Sequence, residues 1–356
     1  MPSNNNALSN TQVLEAIGIG DDIIADLKTL QGNSFGARAN EFLTALVNKV
    51  IYQRVMDLDF ANPFSKYDSF PVEYGDTIEN IFVQTIKGYK FDKDADDPFK
   101  KVNPNVIAAY VSINFEVQYC VSIQDVLIRR AVLNEYGLSN LIEKILRSLR
   151  LTMEIDEYLA NLVMLNNAQL YSNSTRTGSG TALDPYVYSV EEIDVSSLSS
   201  ATEKYAAIAD KMISTYKDMT IPSPDHNKRG VLTVSRKSDL LLIVKQSLLN
   251  RINLDFLAGV YNLSKVDLLD SILEVRDFRV CVNDVDGEPI TTSINGEDIA
   301  FVILDTRGFD NHRALQDSGM IYNPKGKYTN HFLNNWKILS FRTDCQAAAF
   351  KVKLTA

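Results

Sequence analysis

The 356-residue sequence predicts an α+β fold in which a long two-stranded arm precedes one long helix and a mixed α/β region. Three observations lead there. Residues 110–119 alternate without a break, with Val111, Ile113, Phe115, Val117 and Tyr119 on one side and Ser112, Asn114, Glu116 and Gln118 on the other, the pattern of a half-buried strand. Residues 141–163 place Leu141, Ile142, Ile145, Leu146, Leu149, Met153, Ile155, Leu159, Leu162 and Val163 at three- and four-residue spacing, the pattern of a helix. Beyond residue 200, short strand and helix patterns follow one another.

Before the arm, Val13, Leu14, Ile17, Ile23, Ile24, Leu27 and Leu30 predict one or two short helices over residues 11–30, interrupted at Gly18 and Gly20. Phe42, Leu43, Leu46, Val47, Val50 and Ile51 predict another over 37–56. These apolar stripes need a partner surface, either the chain's own body or a neighbour. Residues 78–91 are rich in β-branched and aromatic residues and form the first strand of the arm. Residues 92–105 are charged and twice interrupted by proline, so they form a solvent-exposed tip. Strands of this length reach roughly 35–45 Å at ~3.3 Å per residue. A two-stranded ribbon is marginal alone in water, so the arm predicts another surface to lie on.

Ser122 with Asp125 opens a predicted helix to about residue 136, ended by Gly137. Asn140 with Glu143 resembles a capping box for the long helix, which reaches residue 165 and spans ~39 Å at ~1.5 Å per residue. Residues 171–200 are rich in Ser, Thr and Gly and predict a loop between lobes. Ser200 and Glu203 suggest a second capping box, for a helix through Met219. Residues 231–234 predict a short strand feeding a helix over 239–249, and further strands follow at 299–304, 336–342 and 347–353.

Composition narrows the function. Hydrophobic residues at 45% and charged residues at 23% belong to a folded chain rather than a disordered one. A net charge of −9 opposes a dedicated nucleic-acid reader, which needs a dense basic surface. The three cysteines, Cys120, Cys281 and Cys345, form no CxxC pair, so neither a disulfide framework nor a zinc site is expected. No apolar run approaches the ~20 residues of a membrane span, and the polar N-terminus lacks a signal core, so synthesis and folding in cytoplasm are expected.

No catalytic constellation is expected either. Gly32-Asn33-Ser34-Phe35-Gly36 satisfies the pattern of a nucleophile elbow, which would make Ser34 the nucleophile of a cytosolic serine hydrolase. That elbow needs a strand before the serine, and residues 21–30 have helical spacing instead. His226, His312 and His331 show no metal-ligand spacing. Gly18-Ile19-Gly20 lacks the strand and third glycine of a dinucleotide site, and Gly326-Lys327-Tyr328-Thr329 lacks the first glycine of a P-loop. The lysines of the arm, Lys87, Lys90, Lys93, Lys100 and Lys101, are interleaved with Asp92, Asp94, Asp96 and Asp97, which fits ion pairing between subunits better than a DNA-binding stripe. No cofactor, no metal and no enzymatic activity are expected.

The order of elements resembles the Hong Kong 97-like major capsid protein of tailed bacteriophages. The resemblance rests on the helical leader, the arm at 76–119, the long helix at 140–165, the step Val231-Leu232-Thr233-Val234-Ser235-Arg236-Lys237-Ser238-Asp239 and the closing Asp344-Cys345-Gln346-Ala347-Ala348-Ala349-Phe350-Lys351-Val352. It implies an N-terminal arm over 1–65, an extended β-hairpin E-loop over 66–122, a peripheral domain with its spine helix over 123–200 and 330–356, and an axial domain over 201–329.

The resemblance also implies self-assembly into the pentamers and hexamers of an icosahedral virion head, put together in the host cytoplasm around double-stranded DNA that is not read for sequence. A separate scaffolding protein and a portal are implied as partners, because no charged coiled coil precedes the body. No appended immunoglobulin-like domain is expected at the end, and no residue set matches the Lys–Asn crosslink of some relatives. Inter-subunit contact is expected through Phe82, Lys87, Lys90, Asp94, Asp97, Lys100 and Lys101 of the E-loop. The spine core is expected at Ile142, Ile145, Leu149 and Leu159. The alternatives are an encapsulin-like nanocompartment shell protein, which shares the fold, and the Ser34 hydrolase.

Overall fold

A computed structural model describes residues 60–73, 75–86, 88, 103–124, 135–181, 184–252, 272–293 and 296–354. The helices expected within residues 11–56, Ser34 and the arm tip at 92–102 lie outside these residues.

The arm contains β1 (Ile78–Val83) and β2 (Val106–Val111), followed by β3 (Phe115–Gln124) and the long helix α1 (Glu135–Leu165). Next come β4 (Ser174–Thr177), β5 (Val187–Asp194), helix α2 (Ala201–Met219), β6 (Leu240–Lys245) and the single turn α3 (Gln246–Leu249). Strands β7 (Ile272–Val275), β8 (Cys281–Asn283), β9 (Pro289–Thr292) and β10 (Phe301–Asp305) precede the long pair β11 (His312–Asn323) and β12 (Tyr328–Ile338), and β13 (Ala347–Lys353) closes the order.

Two sheets carry the body. The six-stranded sheet has the order β4-β5-β13-β10-β6-β7, and a three-stranded sheet has the order β11-β12-β3. The larger sheet is apolar on both faces, because both are covered. Leu240, Leu242 and Val244 of β6, with Phe301 and Ile303 of β10, face Ile208, Met212 and Met219 of α2. The alternate residues Leu241, Ile243, Val302 and Leu304 face Phe64 and the end of α1 at Leu162 and Leu165. Further back along α1, Leu149, Met153 and Ala160 pack on Phe115, Val117 and Tyr119 of β3 and Leu333 of β12. One helix therefore lies across both sheets, which ties them into one body. The larger sheet draws β4, β5 and β13 from residues 123–200 and 330–356, and β6, β7 and β10 from 201–329.

Several local expectations are corrected. The alternation over 110–119 does not form one strand: β2 ends at Val111 and pairs with β1, while β3 starts at Phe115 and joins a different sheet. The unbroken period arises because residues 112–114 keep the apolar–polar alternation while the chain changes sheet. Ser122 is strand, not helix, because β3 continues to Gln124 against β12. Gly137 does not stop a helix, since α1 starts at Glu135 and passes through it. The Ser/Thr/Gly-rich stretch 171–200 is not all loop, for it holds β4 and β5.

The helix expected over 239–249 is strand β6 followed by only one helical turn. Five consecutive apolar residues, Leu240–Val244, have no period, and burial on both faces of a central strand accounts for them. Residues 231–234 form only an isolated bridge, Thr233 to Ser223. The strand expected over 336–342 ends at Ile338 and begins upstream at Tyr328. Ser200 stands at the start of α2 in extended conformation, but its side chain makes no capping bond.

Candidate assembly surface

Strands β1 and β2 pair antiparallel from Ile78 opposite Val111 to Val83 opposite Val106. Successive side chains of a strand point to opposite faces. Ile78, Asn80 and Phe82 are half-buried, whereas Glu79, Ile81 and Val83 face outward. Val106, Ala108 and Tyr110 share that outward face from β2. Ile81 is 52%, Val83 56%, Val106 50% and Tyr110 68% exposed, so this face is a row of apolar groups in water. The Tyr110 hydroxyl donates to Glu79 Oε1 at 2.8 Å. Beyond the paired strands, Gln84 N–H donates to the Asn105 carbonyl and the two side-chain amides bond at 2.8 Å.

The root of the arm is locked into the body. Asn62 caps a short turn, Pro63–Tyr67, by accepting from Phe64 N–H. Phe64 is fully buried between Tyr158 of α1 and Phe309, and Tyr67 stacks on Phe309 with centroids 4.9 Å apart. The next residues run beside β11: Ser69 N–H donates to the Asn311 carbonyl and Val72 N–H to that of Arg313. Asn80 of β1 donates to Asp310 Oδ2 at 2.5 Å. His312 faces Asp310 Oδ1 with Nε2 and the Phe70 carbonyl with Nδ1.

Under that root lies an ion network. Lys337 Nζ is 2.7 Å from both Asp68 Oδ2 and Glu157 Oε2. Lys337 and Glu157 are 1% and 3% exposed. The Asn335 amide donates to the other Glu157 oxygen at 2.8 Å, and Asn311 donates to Asn161, one turn along α1 from Glu157. Burying charge costs several kcal/mol per ion unless partners satisfy it, so the network holds the arm root, α1 and β12 in one register. Burial and the adjacent Glu157 carboxylate push the Glu154 carboxyl above the usual carboxylate range.

The residues expected to carry contact fall in different places. Phe82 lies on the half-buried face of β1, and the neighbouring Ile81 and Val83 take the outward one. Lys87, Lys90, Asp94, Asp97, Lys100 and Lys101 lie outside the described residues. Leu149 is buried against the three-stranded sheet and Leu159 is half-buried beside it, while the side chains of Ile142 and Ile145 are outside the described residues. Glu157, Lys337, Asp68 and Asn80 were not singled out by sequence. In β12 the inward residues are Thr329, His331, Leu333, Asn335 and Lys337, and the aromatic Phe332 and Trp336 stand on the other, half-buried face. Period-2 alternation is visible there, but polarity alone points to the wrong face.

Little in the described residues suggests bond-making chemistry. Burial pushes the Cys345 thiol up to about 12, which leaves it protonated and unreactive. His226 and His331 both have pKa values lowered by burial. Among the described residues no three His, Cys, Asp or Glu side chains gather as a metal site, and no helix is long and apolar enough to cross a membrane.

A family model described as Phi29-like phage major capsid protein matches residues 20–351. The chain belongs to this family of phage major capsid proteins. As a member it is a structural component of the virion head. The major capsid protein of Bacillus phage PZA is 24% identical over 315 residues, 87% of this chain and 63% of that protein. The chain thus spans under two thirds of that relative's length. The major capsid protein of Streptococcus phage Cp-1 is 25% identical over 346 residues, covering 92% of this chain and 90% of that one.

Among solved structures, the capsid of Staphylococcus phage Andhra superposes with a TM-score of 0.63 at 13% identity, covering 84% of this chain and 86% of that chain. At that identity the likeness speaks to fold alone, and the fold is the Hong Kong 97-like one.

Proposed function

We propose that this major capsid protein builds the icosahedral head shell as pentamers and hexamers, with the arm of each subunit lying on its neighbour. The carrying observation is the outward row of Ile81, Val83, Val106 and Tyr110, solvent-exposed on a two-stranded ribbon whose root is fixed by buried ions. A ribbon of this kind gains little stability alone and gains it by covering that row. The acidic chain, at −9, encloses double-stranded DNA without gripping it.

In this scheme residues 1–65 are the N-terminal arm and 66–122 hold the E-loop. Residues 123–200 with 330–356 are the peripheral domain, and 201–329 are the axial domain. A separate scaffolding protein and a portal complete the assembly. The phage family match supports this reading over a nanocompartment shell. The chain acts through contact and catalyses no reaction.

Deleting residues 92–105 is the test. Electron microscopy and sedimentation of the expressed protein should show a folded body that forms few closed shells, whereas shells at the full-length yield would refute the clasp.

A further inference from the structure

A second exposed apolar strip has the spacing and charge to receive the arm. Residues 231–236 alternate as a strand does: Val231 and Ser235 are buried, Thr233 is half-buried, and Leu232, Val234 and Arg236 face outward. Leu232 is 46% and Val234 48% exposed. The strip is preformed. Thr233 exchanges backbone hydrogen bonds of 3.1 and 3.2 Å with Ser223, and Ser235 donates its N–H to the Met219 carbonyl and its hydroxyl to the buried Asp305 carboxylate at 2.5 Å. A partner therefore meets an ordered surface, with no loop to be immobilised.

The two outward triplets are complementary. Along β1 they read acid, apolar, apolar: Glu79, Ile81, Val83. Along the strip they read apolar, apolar, base: Leu232, Val234, Arg236. Both step two residues at a time, about 6.6–6.8 Å for extended chain. The wider charge agrees in sign. The described residues 75–86 and 103–111 of the arm contain Asp76 and Glu79 and no Lys or Arg. The segment 220–239 contains Lys228, Arg229, Arg236 and Lys237 against Asp225 and Asp239, four basic groups to two acidic. Complementary potential fixes register and excludes wrong pairings. Within one chain both strips stand in solvent, which leaves each open to a second copy.

Resting on the reading that the arm lies on a neighbour, we propose that its outward face docks antiparallel on residues 232–236 of a second copy of this chain. Glu79 then stands opposite Arg236, Ile81 opposite Val234 and Val83 opposite Leu232.

Charge reversal tests the pairing in the full chain. Glu79→Arg and Arg236→Glu should each lower the yield of closed shells about tenfold, the effect of a like-charge contact worth one decade, and the double variant should recover most of it. Thermal melts that match the parent chain separate lost assembly from lost folding. Singles that assemble normally, or a double variant no better than the worse single, overturn the pairing.

A second readout uses Ile81→Cys with Val234→Cys. Oxidised shells of the double variant should run as a covalent ladder on a non-reducing gel, beyond any background from the exposed Cys120 in the single variants. Shells without that ladder overturn the docking register and leave the arm's general role standing. Normal shells from the chain lacking residues 92–105 would instead sink the arm's role.

Discussion

Lys337 of β12 and Glu157 of α1 meet at 2.7 Å in a site where both side chains are almost completely buried. Asp68 joins the same ammonium at 2.7 Å from the segment that leads into the arm. Three distant parts of the chain therefore converge on one cation, and the cation sets how the arm leaves the body.

Removing the cation should be costly. Lys337→Met keeps the length and apolar stem of the side chain but leaves two carboxylates facing each other without a positive charge. Breaking a buried pair by removing one partner costs about 3–5 kcal/mol. The urea midpoint of the purified subunit should fall accordingly, and an unchanged midpoint would show that the network contributes nothing.

The arm root should be separable from the body. Asn80→Ala removes the bond from β1 to Asp310 while leaving the sheets intact. Expected is a loss of about 1 kcal/mol or less in global stability, with faster amide exchange in β1 and β2 and a lower shell yield. Hydrogen exchange read by mass spectrometry on residues 78–83 and 106–111 checks this, and unchanged protection there would contradict it.

The centre of the larger sheet should tolerate truncation poorly. Ile243 of β6 is completely buried, between β10 and β7 and facing the end of α1. Ile243→Ala leaves a cavity and should cost about 2–5 kcal/mol, measured as a shift of the denaturation midpoint at constant m-value.

Acid should weaken the fold through histidine. Burial lowers the His331 pKa, so the folded chain resists a proton that the unfolded chain accepts near the ordinary value of about 6.5. The unfolded state then binds more protons, and stability is full above that value and declines as pH falls below it. His226 acts in the same direction. Glu154 and Asp156, raised by burial, act in the opposite direction at lower pH because they protonate first in the folded state. The informative quantity is a difference: between pH 7 and 5, His331→Gln should lose less stability than the parent chain in parallel denaturation series. Equal slopes would remove His331 from the acid response.

Residues 201–219 and 347–353 were legible from sequence to the residue as α2 and β13. Each carries a local signal, an amphipathic 3.6-residue period in the first and a β-branched and aromatic run beyond small residues in the second, that its surroundings reinforce. Residues 239–249 were not legible, because the apolar run Leu240–Val244 within them has no period and only the layers above and below the sheet make it a strand. The arm was legible as a two-stranded ribbon, but its extent was not. The alternation runs straight through residues 112–114, where the chain passes from one sheet to another.

By itself the sequence determined an acidic, folded chain with a long helix and a two-stranded arm, because composition and periodicity are properties of each segment alone, while its shell-building role entered through a resemblance in the order of those segments. Only the tertiary structure decided which face of each ribbon meets water and which charges are buried together. Ile81 and Phe82 are equally apolar neighbours, and Lys337 is one lysine among many, until packing places the one in solvent and the other between Glu157 and Asp68. Pairing across more than 150 residues leaves no trace in local pattern, since it depends on where the folded layers bring those side chains.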